Sequence, residues 1–353
     1  MKIVFCGLSI TSSWGNGHAT NYRALVRELS GRGHDVLFLE RDMPWYAAQR
    51  DLPEPPWGRT ALYSALEELE DHAADVAGAE LVVVGSYVPE GVAVAEWVLD
   101  RAEGAVAFYD IDTPVTLGKL RQGEAEYLSP ALIGRFDLYL SFTGGPTLRV
   151  LEEEFGARRA RAFYCLVDPE AYRPLQEAPY WDLGYLGTYS DDRQPVLERL
   201  LIEPAQRLPD RDFAVAGPQY PEEIEWPQNV ERIEHVAPAE HPSFYAAQRF
   251  TLNVTRAQMR AAGWSPSVRL FEAAACAVPV ISDRWDGLEE IFTPGEEILV
   301  ADSPDDVIHY LTETGEDKRL ALGERARARV LAEHTAERRC ELLEQEVEGL
   351  VAA

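Results

Sequence analysis

The sequence predicts an α/β protein of two doubly wound domains in series, facing a central cleft, and three observations lead there. Short apolar runs rich in β-branched residues alternate with amphipathic helical stretches, the pattern of parallel sheets covered by helices. The alternation breaks at 173–181, where Pro174 and Pro179 interrupt the periodicity, and then starts afresh, so this stretch reads as an interdomain linker. The chain has 353 residues, which suits two domains of ordinary size, and 46 % are hydrophobic, enough to fill a core in each.

In the first domain, residues 1–174, the segment 2–7 reads as a strand and leads into a glycine-rich loop ending at Gly17. Ala19 to Ser30 reads as a helix with Tyr22, Leu25, Val26 and Leu29 on one face, closed by Gly31 and Gly33. Asp35 to Glu40 is the next strand, and further strands are expected at 81–85, 105–109 and 138–142. Helices are expected at 60–77, 91–102 and 146–155, before 161–174 closes the domain. The second domain, residues 182–330, opens with strand 182–187 and helix 193–207. Strands 212–217 and 230–236, helix 241–248 and strand 250–254 follow. Ser265 and Pro266 read as the cap and first position of another helix, and Pro279 opens a short strand ending at Asp283. Strand 297–301 and helix 304–314 come next, and a charged stretch with a Leu/Val stripe reads as one last helix over roughly 317–350. In two such domains the carboxyl ends of the strands line the crevices where ligands bind.

Charge narrows the classes of partner. Acidic residues outnumber basic ones 60 to 33, a net charge of −27, which repels phosphate backbones and excludes nucleic acid as a general partner. An anionic ligand therefore needs a local cluster of arginines and amides. Cys6, Cys165, Cys276 and Cys340 are scattered in apolar contexts without a CxxC pair, which fits a reducing cytoplasm and argues against structural zinc. The opening Met1 to Gly7 is too short for a signal peptide, and no stretch reaches the roughly 18 apolar residues of a membrane span, so a cytoplasmic protein without membrane insertion is expected.

Four segments carry candidate chemistry. Glu272 stands alone among apolar neighbours: between Leu270 and Ile281 the Cys276 thiol is the only other ionisable group. A carboxylate enters a packed helix–strand unit only with a partner, because desolvating it costs several kcal/mol. A ligand diol is one such partner; a salt bridge to Arg269, or a solvated face, is the ordinary alternative. After the first strand, Gly15, Asn16 and Gly17 allow a ligand close to the backbone, and His18 follows as a candidate base or contact. The spacing does not match GxGxxG, which disfavours a nicotinamide dehydrogenase. Extended geometry would put Asp110 and Asp112 on one face, where they could take a proton, bind sugar hydroxyls or hold a metal; substrate contact is preferred over metal, and a simple turn cap is the alternative. Positive charge gathers in the second domain: Gly187 and Thr188 with Arg193 after its first strand, then Arg256 and Arg260, with Ser267 at the start of the Glu272 helix.

These segments, in this order, resemble the GT-B nucleotide-sugar glycosyltransferases of the group-1 type, and more closely the CgeB-like (spore maturation protein) glycosyltransferases. The most specific part is Phe271-Glu-Ala-Ala-Ala-Cys-Ala-Val-Pro-Val-Ile-Ser-Asp283 followed by Gly287-Leu-Glu-Glu-Ile291; Gly15 to Leu25, Arg32 to Val36 and Asp168 to Pro174 are similar to the family's opening and to its domain crossing. The resemblance implies two Rossmann-like domains and a donor nucleotide whose ribose diol is held by Glu272. It implies diphosphate contacts from Arg193 and near Arg256, backbone contacts at Gly287 and Leu288, and Glu290 as a further motif acid. The last segment, 331–353, is then expected to cross back onto the first domain. Retaining members often carry a glutamate eight positions before the first, where this chain has Trp264, so either stereochemical outcome stays open. The function expected is transfer of a sugar from a nucleotide-diphosphate sugar to a small-molecule, glycan or glycoconjugate acceptor, with no metal or other cofactor required. His18, Asp110 or Asp112 would supply a base. A sugar-nucleotide epimerase on the same fold, or a non-catalytic nucleotide-sugar-binding protein, is the alternative.

Overall fold

The computed structural model describes residues 1–14 and 17–351. The chain forms two units, one of Met1–Leu166 with the segment from Ala336 onward, the other of Val167–Thr335. In the first, β1 (Lys2–Gly7), β2 (Asp35–Arg41), β3 (Arg59–Tyr63), β4 (Leu81–Gly85), β5 (Ala105–Asp110), β6 (Leu138–Ser141) and β7 (Ala160–Ala162) form one parallel sheet in the order 3-2-1-4-5-6-7. Alternation along each strand feeds both faces. Val4 and Cys6 join Val82, Val84 and Phe108 in one core, while Ile3 and Phe5 join Leu25, Leu29 and Tyr109 in the other.

The second face is completed by the chain's last helix, Ala336–Val351. Ala336, Cys340, Leu343 and Val347, spaced at helical intervals, enter the same core as the helix His18–Gly31. Arg32 and His34 bind Glu344 of that helix at 2.9 and 2.8 Å. The expected single helix over 317–350 is thus two, Glu316–Glu333 and Ala336–Val351. Between them the His334 ring stacks on Phe271 at 4.3 Å and its carbonyl accepts the Val167 amide at 3.0 Å, so tertiary partners claim the backbone that a continuous helix would need. The expected helix 60–77 also divides. Residues 59–63 pair with β2 as the edge strand β3, and only a 3₁₀ turn, Leu66–His72, and a short helix, Ala73–Ala77, follow. Pairing with an open sheet edge outweighs the local helical pattern.

The second unit holds β8 (Trp181–Leu186), β9 (Phe213–Ala216), β10 (Val230–Ile233), β11 (Gln248–Asn253), β12 (Val280–Ser282) and β13 (Leu299–Val300), parallel, in the order 10-9-8-11-12-13. Leu183, Tyr185, Val215, Phe250, Leu252 and Ile281 form its core with Val307, Leu311 and Leu322 of the covering helices. The proline-interrupted stretch before β8 lies inside this unit, which begins at Val167, rather than at the division of the chain. Strand order reverses between β1 and β4 in one unit and between β8 and β11 in the other, which places a crevice at the carboxyl ends of each pair. All four cysteines are free and buried, and among the described residues no helix is long and apolar enough to cross a membrane.

Candidate functional site

Glu272 sits in the helix Val268–Ala275 and is 6 % exposed. Neither water nor Arg269 takes its charge. Tyr245 Oη donates to Glu272 Oε2 at 3.0 Å, His241 Nδ1 stands 3.8 Å from the same oxygen, and Tyr172 Oη lies 3.3 Å from that imidazole nitrogen. Burial opposes ionisation, but His241, Tyr172 and Tyr245 outweigh it and hold the carboxyl below its ordinary range. The sequence reading missed these partners. His241 and Tyr245, four residues apart in His241–Ala246, share a helical face, and that spacing was the available signal.

Arg269 turns away from Glu272. Its guanidinium lies over the Tyr185 ring at 4.9 Å, and Nη1 donates to Asn253 Oδ1 at 3.3 Å. Gly187, at the end of β8, leaves room for it: a Cβ there would stand 2.9 Å from Arg269 Nη2 and 2.6 Å from Tyr185 Oη. Arg193 donates from Nη2 to the Thr188 carbonyl at 2.7 Å. Burial weakens the hold of Arg193 on its proton, and the nearby charges of Arg269 and Arg256 weaken it further. Asp192, which accepts the Ala257 amide at 2.7 Å, offsets part of this charge. Among the described residues, Nε of Arg193 and Nε of Arg269 are buried without a hydrogen-bond partner. Each such donor costs about 1–3 kcal/mol until an acceptor arrives. Two unsatisfied guanidinium N–H groups, with the charge of Arg256 near them, form an arrangement able to receive an anion.

Asn253, at the end of β11, aligns this site. Its Oδ1 accepts from Ser267 Oγ at 2.7 Å as well as from Arg269, and its Nδ2 donates to Ser282 Oγ at 3.0 Å and Thr255 Oγ1 at 3.2 Å. Ser267, not Ser265, precedes the helix, and its hydroxyl, used by Asn253, does not cap the first amides. Arg260 Nη1 stands 3.9 Å from Asp283 Oδ2, a carboxyl that burial pushes up to about 6. Gly287 adopts φ +85°, and a Cβ there would sit 2.5 Å from the Trp264 indole. Trp264 itself has φ +42°, held by its amide's 2.6 Å bond to the Asp286 carbonyl. Leu288 is buried beside them, and Glu290 is exposed.

In the first unit a cavity of about 540 Å³ opens at the switch between β1 and β4. Gly17 and His18 reach it from the loop after β1, Trp45 and Tyr46 from after β2, Tyr87 and Glu90 from after β4, and Asp112 from after β5. Gly15 and Asn16 lie outside the described residues. Tyr87 Oη donates to Asp112 Oδ2 at 2.7 Å, and the His18 ring lies 5.4 Å from the Tyr87 ring. Burial pulls the His18 pKa down to about 3, so the ring is neutral, and its Nδ1 has no hydrogen-bond partner among the described residues. Asp110 departs from the expected geometry. It does not share a face with Asp112, because the chain turns at Asp112 into the helix Thr113–Arg121. Asp110 is fully buried instead, accepting from Tyr139 Oη at 2.6 Å and Thr116 Oγ1 at 2.9 Å, and burial raises its pKa to about 6. A wider hollow of about 810 Å³, around Met1, Glu80 and Glu344, sits at the amino ends of the strands and holds none of these groups.

Residues 193–345 match a family model described as glycosyl transferase-like. Solved structures match along the whole chain. A sucrose-phosphate synthase from Thermosynechococcus elongatus aligns with TM-score 0.70 and 14 % identity over 99 % of both chains. Anabaena HepE in complex with UDP-glucose aligns with TM-score 0.69 and 14 % identity over 100 % of both. The fold is GT-B. An α-glucosyltransferase in complex with UDP-glucose and DNA shares it, at TM-score 0.69 and 13 % identity over 98 % of both chains. No curated protein matches. Within this GT-B chain the matched segment contains Glu272, Asn253 and all of the clustered arginines.

Proposed function

We propose that this protein is a metal-independent glycosyltransferase of the hexosyl type, taking its sugar from a nucleotide-diphosphate donor held by the C-terminal unit. The single observation that carries the reading is the cluster of half-buried Arg193 and Arg269 with exposed Arg256 close by, on the same unit as the ionised, buried Glu272. A carboxylate with a fixed position accepts two hydroxyl hydrogen bonds from a ribose diol. The guanidiniums, with the first amides of Val268–Ala275, which Ser267 does not cap, and those at Gly287 and Leu288, then receive the diphosphate. HepE was solved with UDP-glucose and with UDP, which supports UDP as the nucleotide. The Phe271–Asp283 motif favours the CgeB-like branch, and the four buried thiols a cytoplasmic setting.

In the transfer, the bond between the sugar C1 and the diphosphate oxygen breaks and a bond from C1 to the acceptor oxygen forms. The nucleoside diphosphate leaves with the bonding electron pair, and its added charge is neutralised by arginine rather than by a metal ion. The acceptor proton passes to His18 or Asp112, in the cavity of the N-terminal unit; the neutral His18 ring is the form able to take it. Asp110 positions the Asp112 backbone through the 3.2 Å bond from its amide.

The test is incubation of the full chain with UDP-glucose and other nucleotide sugars, with UDP release as the readout. Release should survive EDTA and fall about a hundredfold or more in Glu272→Gln, in line with loss of a charge-assisted contact. If no nucleotide sugar binds and Glu272→Ala changes nothing, the reading is wrong; an epimerised sugar with no UDP released would also overturn it.

A further inference from the structure

The cavity of the N-terminal unit states what kind of acceptor it takes. Its walls are aromatic: Tyr87 and Tyr127 pack at 4.7 Å between ring centroids, and Trp45 is 50 % exposed beside them. Its polar groups are mostly acceptors. Asp112, Glu90 and Glu126 line it, and the two basic side chains close to them are each in an ion pair with one of these carboxylates. Arg41 is bound to Glu90 at 2.9 Å, and Lys119 is bound to Glu126 while lying 5.8 Å from the Tyr87 and Tyr127 rings. The buried Nδ1 of His18, with no partner among the described residues, is a further polar atom in the wall.

We propose that this cavity binds an uncharged, polyhydroxylated ring, a neutral glycoside or free sugar, and rejects phosphorylated acceptors. Aromatic faces cover the C–H face of such a ring, and carboxylates with a neutral imidazole accept hydrogen bonds from its hydroxyls. A phosphate would meet three carboxylates against two cations, Arg41 and Lys119, each already in an ion pair. The excess of negative charge there opposes it even though Arg41 Nη1 has no hydrogen-bond partner among the described residues. The contrast with the C-terminal unit is chemical: arginines gather where a diphosphate is expected, and carboxylates where the acceptor is. The inference rests on the glycosyltransferase reading but concerns a separate ligand, so the two fail separately.

Calorimetric titration of the full chain with methyl α-D-glucopyranoside, D-glucose 6-phosphate and UDP tests it. The neutral glycoside should bind at least about tenfold more tightly than the 6-phosphate. Trp45→Ala should weaken the glycoside about tenfold with an unchanged melting temperature, and Glu90→Gln should narrow the discrimination against the phosphate. Equal or tighter binding of glucose 6-phosphate overturns the proposal, as does no detectable glycoside binding, or glycoside binding untouched by Trp45→Ala. Loss of UDP binding alone would count against the donor reading and leave the acceptor class standing.

Discussion

Arg269 lies three residues before Glu272 on the same helix, yet its guanidinium lies over the Tyr185 ring and donates to Asn253, and the carboxylate does not pair with it. Replacing Arg269 with Ala should weaken UDP binding by about 1.5–3 kcal/mol, ten- to a hundredfold, measured by calorimetry, and Lys should restore only part of it because it lacks the planar fork. Asp112→Asn should lower kcat by roughly 10²–10⁴ while leaving UDP affinity unchanged, if Asp112 takes the acceptor proton. Asp110 makes a different prediction. Its folded pKa of about 6 lies above the ordinary aspartate value, so the folded protein binds this proton more tightly. The stability it contributes is full below about pH 4 and is lost as pH rises through about 6. Chemical denaturation from pH 4 to 7 should show that slope in the native chain and a shallower one in Asp110→Asn. Glu272, Arg193 and Arg256 were legible as site candidates because each interrupts an apolar or acidic setting. Tyr172, His241 and Asn253 were not: tyrosine, histidine and asparagine are ordinary in any local pattern, and only the fold brings them to Glu272 and Arg269.

At the scale of elements, the turn 263–264 and the turn at Gly287 act as one piece. Trp264 occupies a left-handed conformation because Asp286 holds its amide, and its indole fills the space a side chain at 287 would need. Gly287→Ala combines positive φ with that overlap and should destabilise the protein by about 1–3 kcal/mol, read as a lower denaturation midpoint. The long strands of the sheets and the helix His18–Gly31 were legible because apolar periodicity persists across them. The edge strand β3 was hidden, since its five residues become a strand only by pairing with β2. The break at His334 was hidden for a similar reason, as its cause is Phe271, some sixty residues away in sequence.

For the whole molecule, the last helix completes the core of the first unit, so truncating its contacts acts far from its own sequence neighbours. Leu343→Ala should cost about 2–5 kcal/mol, visible as loss of the first unit's cooperative unfolding. The charge of −27 makes another global statement. An α-glucosyltransferase of this fold was solved with DNA, but this chain should show no shift of duplex DNA in a gel assay at physiological salt. The same fold carries different surfaces, and the surface charge decides the partner.

The sequence by itself determined that the chain forms two parallel α/β units, that it carries a net charge of −27, which disfavours phosphate backbones, and that Glu272 sits where a carboxylate needs a partner. Those properties follow from composition and short-range periodicity. Only the tertiary structure decided what partners it: Tyr245 and His241 at the carboxylate, Arg269 aimed away toward Asn253, and Asp110 buried behind Asp112 rather than beside it. Side-chain direction depends on which strands and helices meet, and long-range packing, not local sequence, sets that.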